Sequence, residues 1–90
     1  MTVKDYCIEI HKILVEVGEL HWAKCFRNFI SELEAAENNT VFRKILSIYG
    51  GMGSFNDFVL YHNGTLCQKE NEALSELREG LYKTIGKEWH

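Results

Sequence analysis

Residues 48–61 read IYGGMGSFNDFVLY and divide the chain into two parts. Glycine fills three of the four positions 50–53, and glycine leaves helical backbone geometry more readily than any other residue. The chain before this segment has helical apolar spacing, and only one long helical stripe follows it. The segment decides the fold, because it must bring the second part of the chain back onto the first.

Four stretches carry apolar residues at the spacing of a single helix face. They predict helices at residues 3–17, 19–37, 41–49 and 71–85. Thr2 with Asp5 predicts a capping box at the first helix, and Thr40 is predicted to cap the third. Since the chain contains no proline, the helix ends are predicted at Gly18, Asn38-Asn39, Gly50-Gly51 and Gly86. Gly80, in the middle of the last helix, indicates either a close contact with another segment or a tolerated glycine.

Residues 55–68 admit two interpretations. Ser54 followed by Asp57 is an N-cap pattern that indicates a short helix. The apolar runs on either side of Asn63-Gly64 indicate a hairpin instead, because Asn-Gly between such runs is the strongest short hairpin signal. The aromatic and β-branched content slightly favours the hairpin, around residues 58–67. We therefore expect a mostly α fold, a small four-helix bundle in one domain over residues 1–90, with a short β-hairpin as the favoured addition.

Composition and charge disfavour nucleic-acid binding, a membrane span and a signal peptide. The net charge is −3 and no block of Lys and Arg is present, so nucleic-acid binding is not expected. No apolar run approaches the ~18 residues that a membrane span needs. The N-terminus lacks a basic segment leading into an apolar run, so no signal peptide is predicted and a cytoplasmic location is expected.

No pattern of catalytic or metal-ligating residues is present. The glycine segment lacks the lysine of a phosphate-binding loop and the spacing of a dinucleotide fingerprint, so we interpret it first as a tight connection. His21 and Cys25 share a helix face, but a metal site needs three or four ligands and no second pair has helical spacing. Three widely spaced cysteines indicate reduced thiols rather than disulfides. We predict no catalytic residues, no metal and no cofactor, and hence no enzyme.

Two surface features predict a binding surface for a protein partner. Glu72, Glu76 and Glu79 form an acidic ridge on the last helix, and a second acidic group is Glu32, Glu34 and Glu37. Aromatic and polar residues crowd after the glycines, and these are Phe55, Asn56, Asp57, Phe58 and Tyr61. Exposed aromatic residues beside acidic ones are typical of protein–protein hot spots. The charge favours a basic partner.

The segment YGGMGSFND and the later LSELREGLY, residues 74–82, resemble a family of short bacterial proteins that share both patterns. This family is similar in size and charge to immunity proteins of toxin–immunity pairs, including those of contact-dependent growth inhibition. The resemblance implies an inhibitor that binds and neutralises a cognate toxin domain in the cytoplasm, as a monomer or weak homodimer. Two alternatives stay open: a regulatory or adaptor module, which could be homodimeric, and an anion- or small-ligand-binding protein centred on residues 50–57.

Overall fold

Four α-helices and one two-stranded hairpin form the part of the chain that the structure describes. The structure is a computed structural model, and it describes residues 1–50, 55, 58–62 and 64–89. In chain order the elements are α1 (Val3–Glu16), α2 (Leu20–Ala35), α3 (Asn39–Ser47), β1 (Tyr61–His62), β2 (Thr65–Leu66) and α4 (Gln68–Glu88). The predicted mostly α fold with a short hairpin is confirmed. None of these helices is long and apolar enough to span a membrane.

The start and end of α1 follow the predicted signals. The Thr2 hydroxyl accepts from the Asp5 N–H at 3.1 Å, and the Asp5 carboxylate accepts from the Thr2 N–H at 2.9 Å. Gly18 follows the helix at φ 80°, a conformation that favours glycine. The Glu19 N–H donates to the Leu14 carbonyl at 2.8 Å, the bond of a Schellman cap. The turn from α1 to α2 is therefore specified by local chemistry.

The predicted cap of α3 was wrong, and α4 extends beyond both of its predicted ends, beginning at Gln68 rather than Asn71. Helix α3 is capped by Asn38 and not by Thr40, because the Asn38 amide oxygen accepts from the N–H groups of Thr40 and Val41 at 3.0 and 3.2 Å. Asparagine is as good an N-cap as serine and better than threonine, so the earlier residue takes the role. Helix α4 continues through Gly86 to Glu88, since Gly86 keeps a negative φ and the Trp89 N–H still bonds the Ile85 carbonyl at 2.9 Å.

Helix α1 occupies the centre of the fold. It packs against both α2 and α4, and α3 lies against α2. The buried hydrophobic residues, with α1 contributing the first four, are Val3, Cys7, Ile10, Leu14, Ala23, Phe26, Phe29, Leu33, Val41, Phe42, Ile45, Phe55, Leu60, Leu74, Leu81 and Ile85. The core thus draws on all four helices and on two residues of the connection between α3 and β1.

Gly80 marks the closest approach between α1 and α4. A Cβ placed on Gly80 would lie 2.5 Å from Tyr6 Cε1 and 2.7 Å from its hydroxyl oxygen. The predicted close contact with another segment is confirmed, and the alternative of a merely tolerated glycine is not. Glycine weakens a helix by up to ~1 kcal/mol relative to alanine, and here it makes room for the tyrosine ring.

The hairpin returns the chain to the start of α4. Tyr61 pairs with Leu66 and His62 with Thr65 in antiparallel register, and Gly64 in the connecting turn has φ 78°. Asn63, Ser54 and Asp57 lie outside the described residues, so the alternative short helix predicted from Ser54 and Asp57 is not assessed there.

Candidate functional site

Phe55 anchors the connection between α3 and β1, whose described residues 55 and 58–60 we call the strap. The Phe55 side chain is fully buried, with its ring centroid 5.1 Å from that of Trp22 and 4.9 Å from that of Phe26. The Phe55 N–H donates to the Ile48 carbonyl at 2.9 Å, which closes the glycine segment at its base. The prediction of Phe55 as an exposed anchor for a partner was wrong. Its ring instead holds the strap to α2, because burial against Trp22 and Phe26 removes its apolar surface from water.

Arg78 of α4 clamps the same strap from the other side. Its Nη1 donates to the carbonyls of Phe55 and Phe58 at 2.6 and 2.9 Å. Its guanidinium carbon lies 5.5 Å from the centroid of the Phe55 ring, within cation–π range. Hydrogen bonds from a charged donor are among the strong ones in proteins, so Arg78 fixes the strap at two carbonyls that lie three residues apart.

Asn71 completes the hairpin where α4 begins. The Cys67 N–H donates to the Leu60 carbonyl at 3.1 Å, but the Cys67 carbonyl accepts from the Asn71 N–H at 2.8 Å as the helix starts. In a regular antiparallel ladder the Cys67 carbonyl would accept from the Leu60 N–H, but here it bonds the helix instead. The Asn71 side chain replaces it, accepting from the Leu60 N–H at 2.7 Å and donating to the Leu60 carbonyl at 3.0 Å. One side chain thus joins strand and helix.

Tyr49 fixes the other end of the glycine segment. Its hydroxyl donates to the Arg78 backbone carbonyl at 2.9 Å, and burial raises the pKa of the Tyr49 phenol above its ordinary value. The chain before the glycines and the strap after them are therefore both attached to the same turn of α4. The predicted interpretation of a connection that fixes the second half of the domain against the first is consistent with this arrangement.

The hairpin presents an apolar surface to solvent, which we call the hairpin face: Val59, Tyr61 and Leu66. Their exposed fractions are 44%, 56% and 50%. Tyr61 and Leu66 are directly opposite each other in the ladder, and Val59 lies two residues before Tyr61, so the three side chains share one side. Leu60, between Val59 and Tyr61, is buried on the opposite side. Of the predicted aromatic residues, Tyr61 is exposed, Phe58 is half-buried, and Asn56 and Asp57 lie outside the described residues.

The acidic ridge lies on the exposed side of α4, as predicted. Glu72, Glu76 and Glu79 are all exposed, and Glu79 pairs with Lys83 at 2.9 Å. Neither Glu72 nor Glu76 forms an ion pair with a described residue. This leaves two carboxylates of the ridge without a cationic partner among the described residues.

The second acidic group is more nearly neutralised within the chain. Glu32 pairs with Lys44 at 2.5 Å, and Glu34 lies 3.6 Å from Lys4. Both pairs link different helices, because Lys4 is on α1 and Lys44 on α3. The ridge on α4 is therefore the stronger candidate for attracting a basic partner.

An open groove of about 770 Å³ lies between the end of α3 and α4. Its walls are formed by Leu46, Tyr49, Gly50, Ser75, Arg78, Glu79, Tyr82 and Lys83. The Tyr49 and Tyr82 ring centroids are 5.5 Å apart, and Tyr82 is exposed. The volume of the groove falls within the range of small-ligand sites, roughly 300–1,000 Å³.

The cysteines and histidines show no arrangement for chemistry in the described residues. Cys7 is buried, and burial raises the pKa of its thiol to about 12. Burial also raises the pKa of the Cys25 thiol. The His21 ring stands edge-on to Trp22 with centroids 5.4 Å apart. No three His, Cys, Asp or Glu side chains among residues 1–50, 55, 58–62 and 64–89 come close enough to hold a metal ion.

Four residues of this region were not predicted from the sequence: Val59, Leu66, Asn71 and Arg78. Asn71 and Arg78 are seven residues apart and therefore lie on one side of α4. Each lies beside the apolar stripe of that helix, close to Leu74 and Leu81. A polar residue in such a position often contacts a neighbouring segment, and this is the signal that could have indicated the two residues. Which segment they contact depends on the return of the strap, which the spacing does not specify.

The chain belongs to the family described as a domain of unknown function, DUF6966, whose model matches residues 15–68. The matched region contains α2, α3, the strap and the hairpin, and it ends where α4 begins. No curated protein and no solved structure matches the chain.

Proposed function

We propose that this chain is an immunity protein that binds a cognate bacterial toxin domain and neutralises it. The observation that carries the proposal is the hairpin face, which exposes Val59, Tyr61 and Leu66 together on an element held rigidly by Asn71 and Arg78. A fixed apolar patch with an exposed tyrosine is the usual form of an anchor at a protein–protein interface. Because its strap is fixed, binding requires little ordering of the backbone, which favours tight association.

The acidic ridge supplies the second part of the proposal. Two of its carboxylates, Glu72 and Glu76, form no ion pair with a described residue and lie in the first half of α4, the half that follows the hairpin. Many toxins that act on nucleic acids have basic clefts, and carboxylates can occupy such a cleft in place of phosphates. Charge of this kind mainly raises the association rate, and the gain weakens as salt rises.

The test first asks whether a gene beside this one encodes a protein with a toxic C-terminal domain. Growth of cells that produce the domain, with and without this chain, measures neutralisation, and calorimetry on the purified pair measures affinity. We expect restored growth and a nanomolar dissociation constant. A toxic neighbouring domain that neither binds this chain nor is neutralised by it would contradict the proposal, as would a gene neighbourhood that encodes no such domain.

Matched variants locate the binding surface. Tyr61→Ala and Leu66→Ala remove exposed side chains of the hairpin face, while Val15→Ala and Leu20→Ala remove exposed apolar side chains at the turn between α1 and α2. We expect the first pair to weaken binding, by about 30-fold for Tyr61, which corresponds to ~2 kcal/mol. The second pair should bind as the wild type does. Equal losses in both pairs would remove the hairpin face from the proposal.

A parallel comparison separates the two acidic groups. Glu72→Lys with Glu76→Lys reverses the two ridge carboxylates that form no ion pair with a described residue. Glu32→Lys with Glu34→Lys reverses the two carboxylates that pair with Lys44 and Lys4. We expect the first change to slow association at low salt and the second to do so much less. Unchanged association after reversal of the ridge contradicts the electrostatic part of the proposal.

The groove between α3 and α4 favours a second candidate function, the binding of a small ligand. Its volume of about 770 Å³ and its two tyrosine rings are the observations that support it. A screen of small aromatic acids by NMR would test it. Binding in the groove should shift the amide signals of Ser75 and Tyr82 and not those of the hairpin face. Shifts confined to the hairpin would exclude the groove.

A further inference from the structure

We propose that the toxin domain is held by β-strand addition, with an extended segment of that domain pairing along the outer edge of β1. The inference rests on the proposed function and names its binding mode. It differs from side-chain docking because the backbone of Val59 and Tyr61 supplies hydrogen bonds. Strand addition of this kind takes affinity from main-chain bonds and selectivity from alternate side chains.

The direction of the backbone groups follows from the register of the hairpin. In an antiparallel pair, opposed residues alternate between hydrogen-bonded and non-hydrogen-bonded pairs. The bond from the Cys67 N–H to the Leu60 carbonyl makes Leu60 and Cys67 a hydrogen-bonded pair. Tyr61 and Leu66 are then a non-hydrogen-bonded pair, so the Tyr61 N–H and carbonyl point away from β2. Val59 has the same orientation by its spacing of two residues.

The proposed partner strand would bond these outward groups. No hydrogen bond joins the Val59 backbone to another described residue. The edge residues 59–62 are Val, Leu, Tyr and His, so the edge carries none of the lysine or proline with which proteins commonly block strand addition. The Asn71 side chain holds Leu60 from the inner side, which keeps the edge extended without occupying its outer groups.

The chemistry of the incoming strand follows from what surrounds the edge. Its side chains on one side would lie against Val59 and Tyr61, which selects apolar residues at alternate positions. The first turns of α4 beside the hairpin carry Glu70 and Glu72 against one cation, Lys69, and this net negative charge favours basic residues at the flanks. A second copy of this chain fits less well, because each copy carries a net charge of −3 and the same glutamates would approach each other.

Hydrogen exchange measured by NMR on the isotope-labelled chain tests the inference. In the free protein we expect the amides of Val59 and Tyr61 to exchange rapidly and that of Leu60, bonded to Asn71, to be protected. With saturating toxin domain we expect exchange at Val59 and Tyr61 to slow at least ~100-fold, as for other strand-paired amides. Binding heat without slower exchange at these two amides overturns strand addition and leaves the proposed function intact.

Two further outcomes are equally decisive. An absence of binding heat removes the proposed function and this inference together. Protection at Val59 and Tyr61 that appears in the free protein as its concentration rises assigns the edge to a second copy and overturns the toxin assignment.

A matched pair of variants tests the backbone contribution directly. Val59→Ala shortens the side chain and keeps the N–H, whereas Val59→Pro also removes the outward N–H. We expect the proline variant to bind the toxin domain at least ~10-fold more weakly than the alanine variant at equal thermal stability, which corresponds to ~1.4 kcal/mol. Equal affinities of the two variants contradict the proposal. If the proline variant fails to fold, the exchange measurement decides.

Discussion

Replacement of Arg78 by methionine should release the strap while leaving the helices in place. Methionine keeps an unbranched apolar stem but lacks the guanidinium that bonds the carbonyls of Phe55 and Phe58. Hydrogen bonds to a charged group contribute about 1.5–3 kcal/mol each. Phe55 is buried, but Phe58 is half-buried and water can replace part of its bond. We therefore take the lower value for each bond and expect a loss of about 3 kcal/mol in the free energy of unfolding.

That loss is large for a domain of 90 residues. Domains of this size unfold with roughly 5–13 kcal/mol, so the variant would lose between a quarter and more than half of its stability. Each kcal/mol shifts the melting temperature of such a domain by about 4–8 °C, which predicts a decrease of about 12–24 °C. Urea unfolding followed by circular dichroism gives the free energy, and a thermal scan gives the melting temperature.

Two control variants show whether the loss of stability is specific to the guanidinium of Arg78. Arg43→Met removes an exposed arginine of α3 and should change the free energy of unfolding by no more than ~0.5 kcal/mol. Arg78→Lys keeps a charge but not the planar donor group, and it should fall between the wild type and Arg78→Met. If Arg78→Met is as stable as Arg43→Met, the strap does not depend on this residue and our account of the connection is wrong.

Three further predictions follow from the fold. Gly80→Ala should lower the free energy of unfolding by about 1–2 kcal/mol, because its methyl group meets the Tyr6 ring. In a Tyr6→Leu background the same change should be neutral or stabilising. Chemical denaturation of the wild type, the two single variants and the double variant checks this change of sign. Asn38→Ala should cost ~1 kcal/mol and Thr40→Ala much less, as measured by the same method. Burial raises the pKa of the Cys7 thiol to about 12 in the folded chain, against an ordinary 9.0, so the unfolded chain loses this proton first as pH rises. The free energy of unfolding should therefore fall between pH 9 and 12 by up to about 1.4 kcal/mol per pH unit. Urea titrations should show a shallower fall for Cys7→Ala.

Local signals in the sequence predicted most of the fold. The Thr2 capping box, the glycine end of α1 and the Asn63-Gly64 turn signal each depend on residues within a few positions of one another, and such short-range chemistry can be read without the structure. The same reasoning misplaced the cap of α3, because Asn38 and Thr40 are both competent caps and Asn38 had been assigned to the end of α2. It also made α4 too short at both ends, because the helix begins at Gln68 directly after the hairpin, and Gly86, which permits a left-handed turn, does not adopt one.

The candidate site was less predictable, because it depends on contacts between distant parts of the chain. Phe55 is separated from Phe26 by most of α2 and α3, and its burial depends on how the strap returns over α2. Asn71 contacts a backbone eleven positions earlier, and Arg78 one twenty-three positions earlier. Apolar periodicity does not encode such pairings. The exposed Tyr61 was predicted, but its partners on the hairpin face, Val59 and Leu66, needed the strand register.

The measurement that most directly tests protein binding through the hairpin is a calorimetric titration into the wild-type chain and into Tyr61→Ala. The titrant is the toxic C-terminal domain that the proposal expects an adjacent gene to encode. Tyr61 is exposed and forms no hydrogen bond through its side chain to a described residue, so the variant should fold as the wild type does. We predict nanomolar binding for the wild type and a dissociation constant about 30-fold higher for the variant. Absence of binding, or equal affinity of the two proteins, would contradict the account.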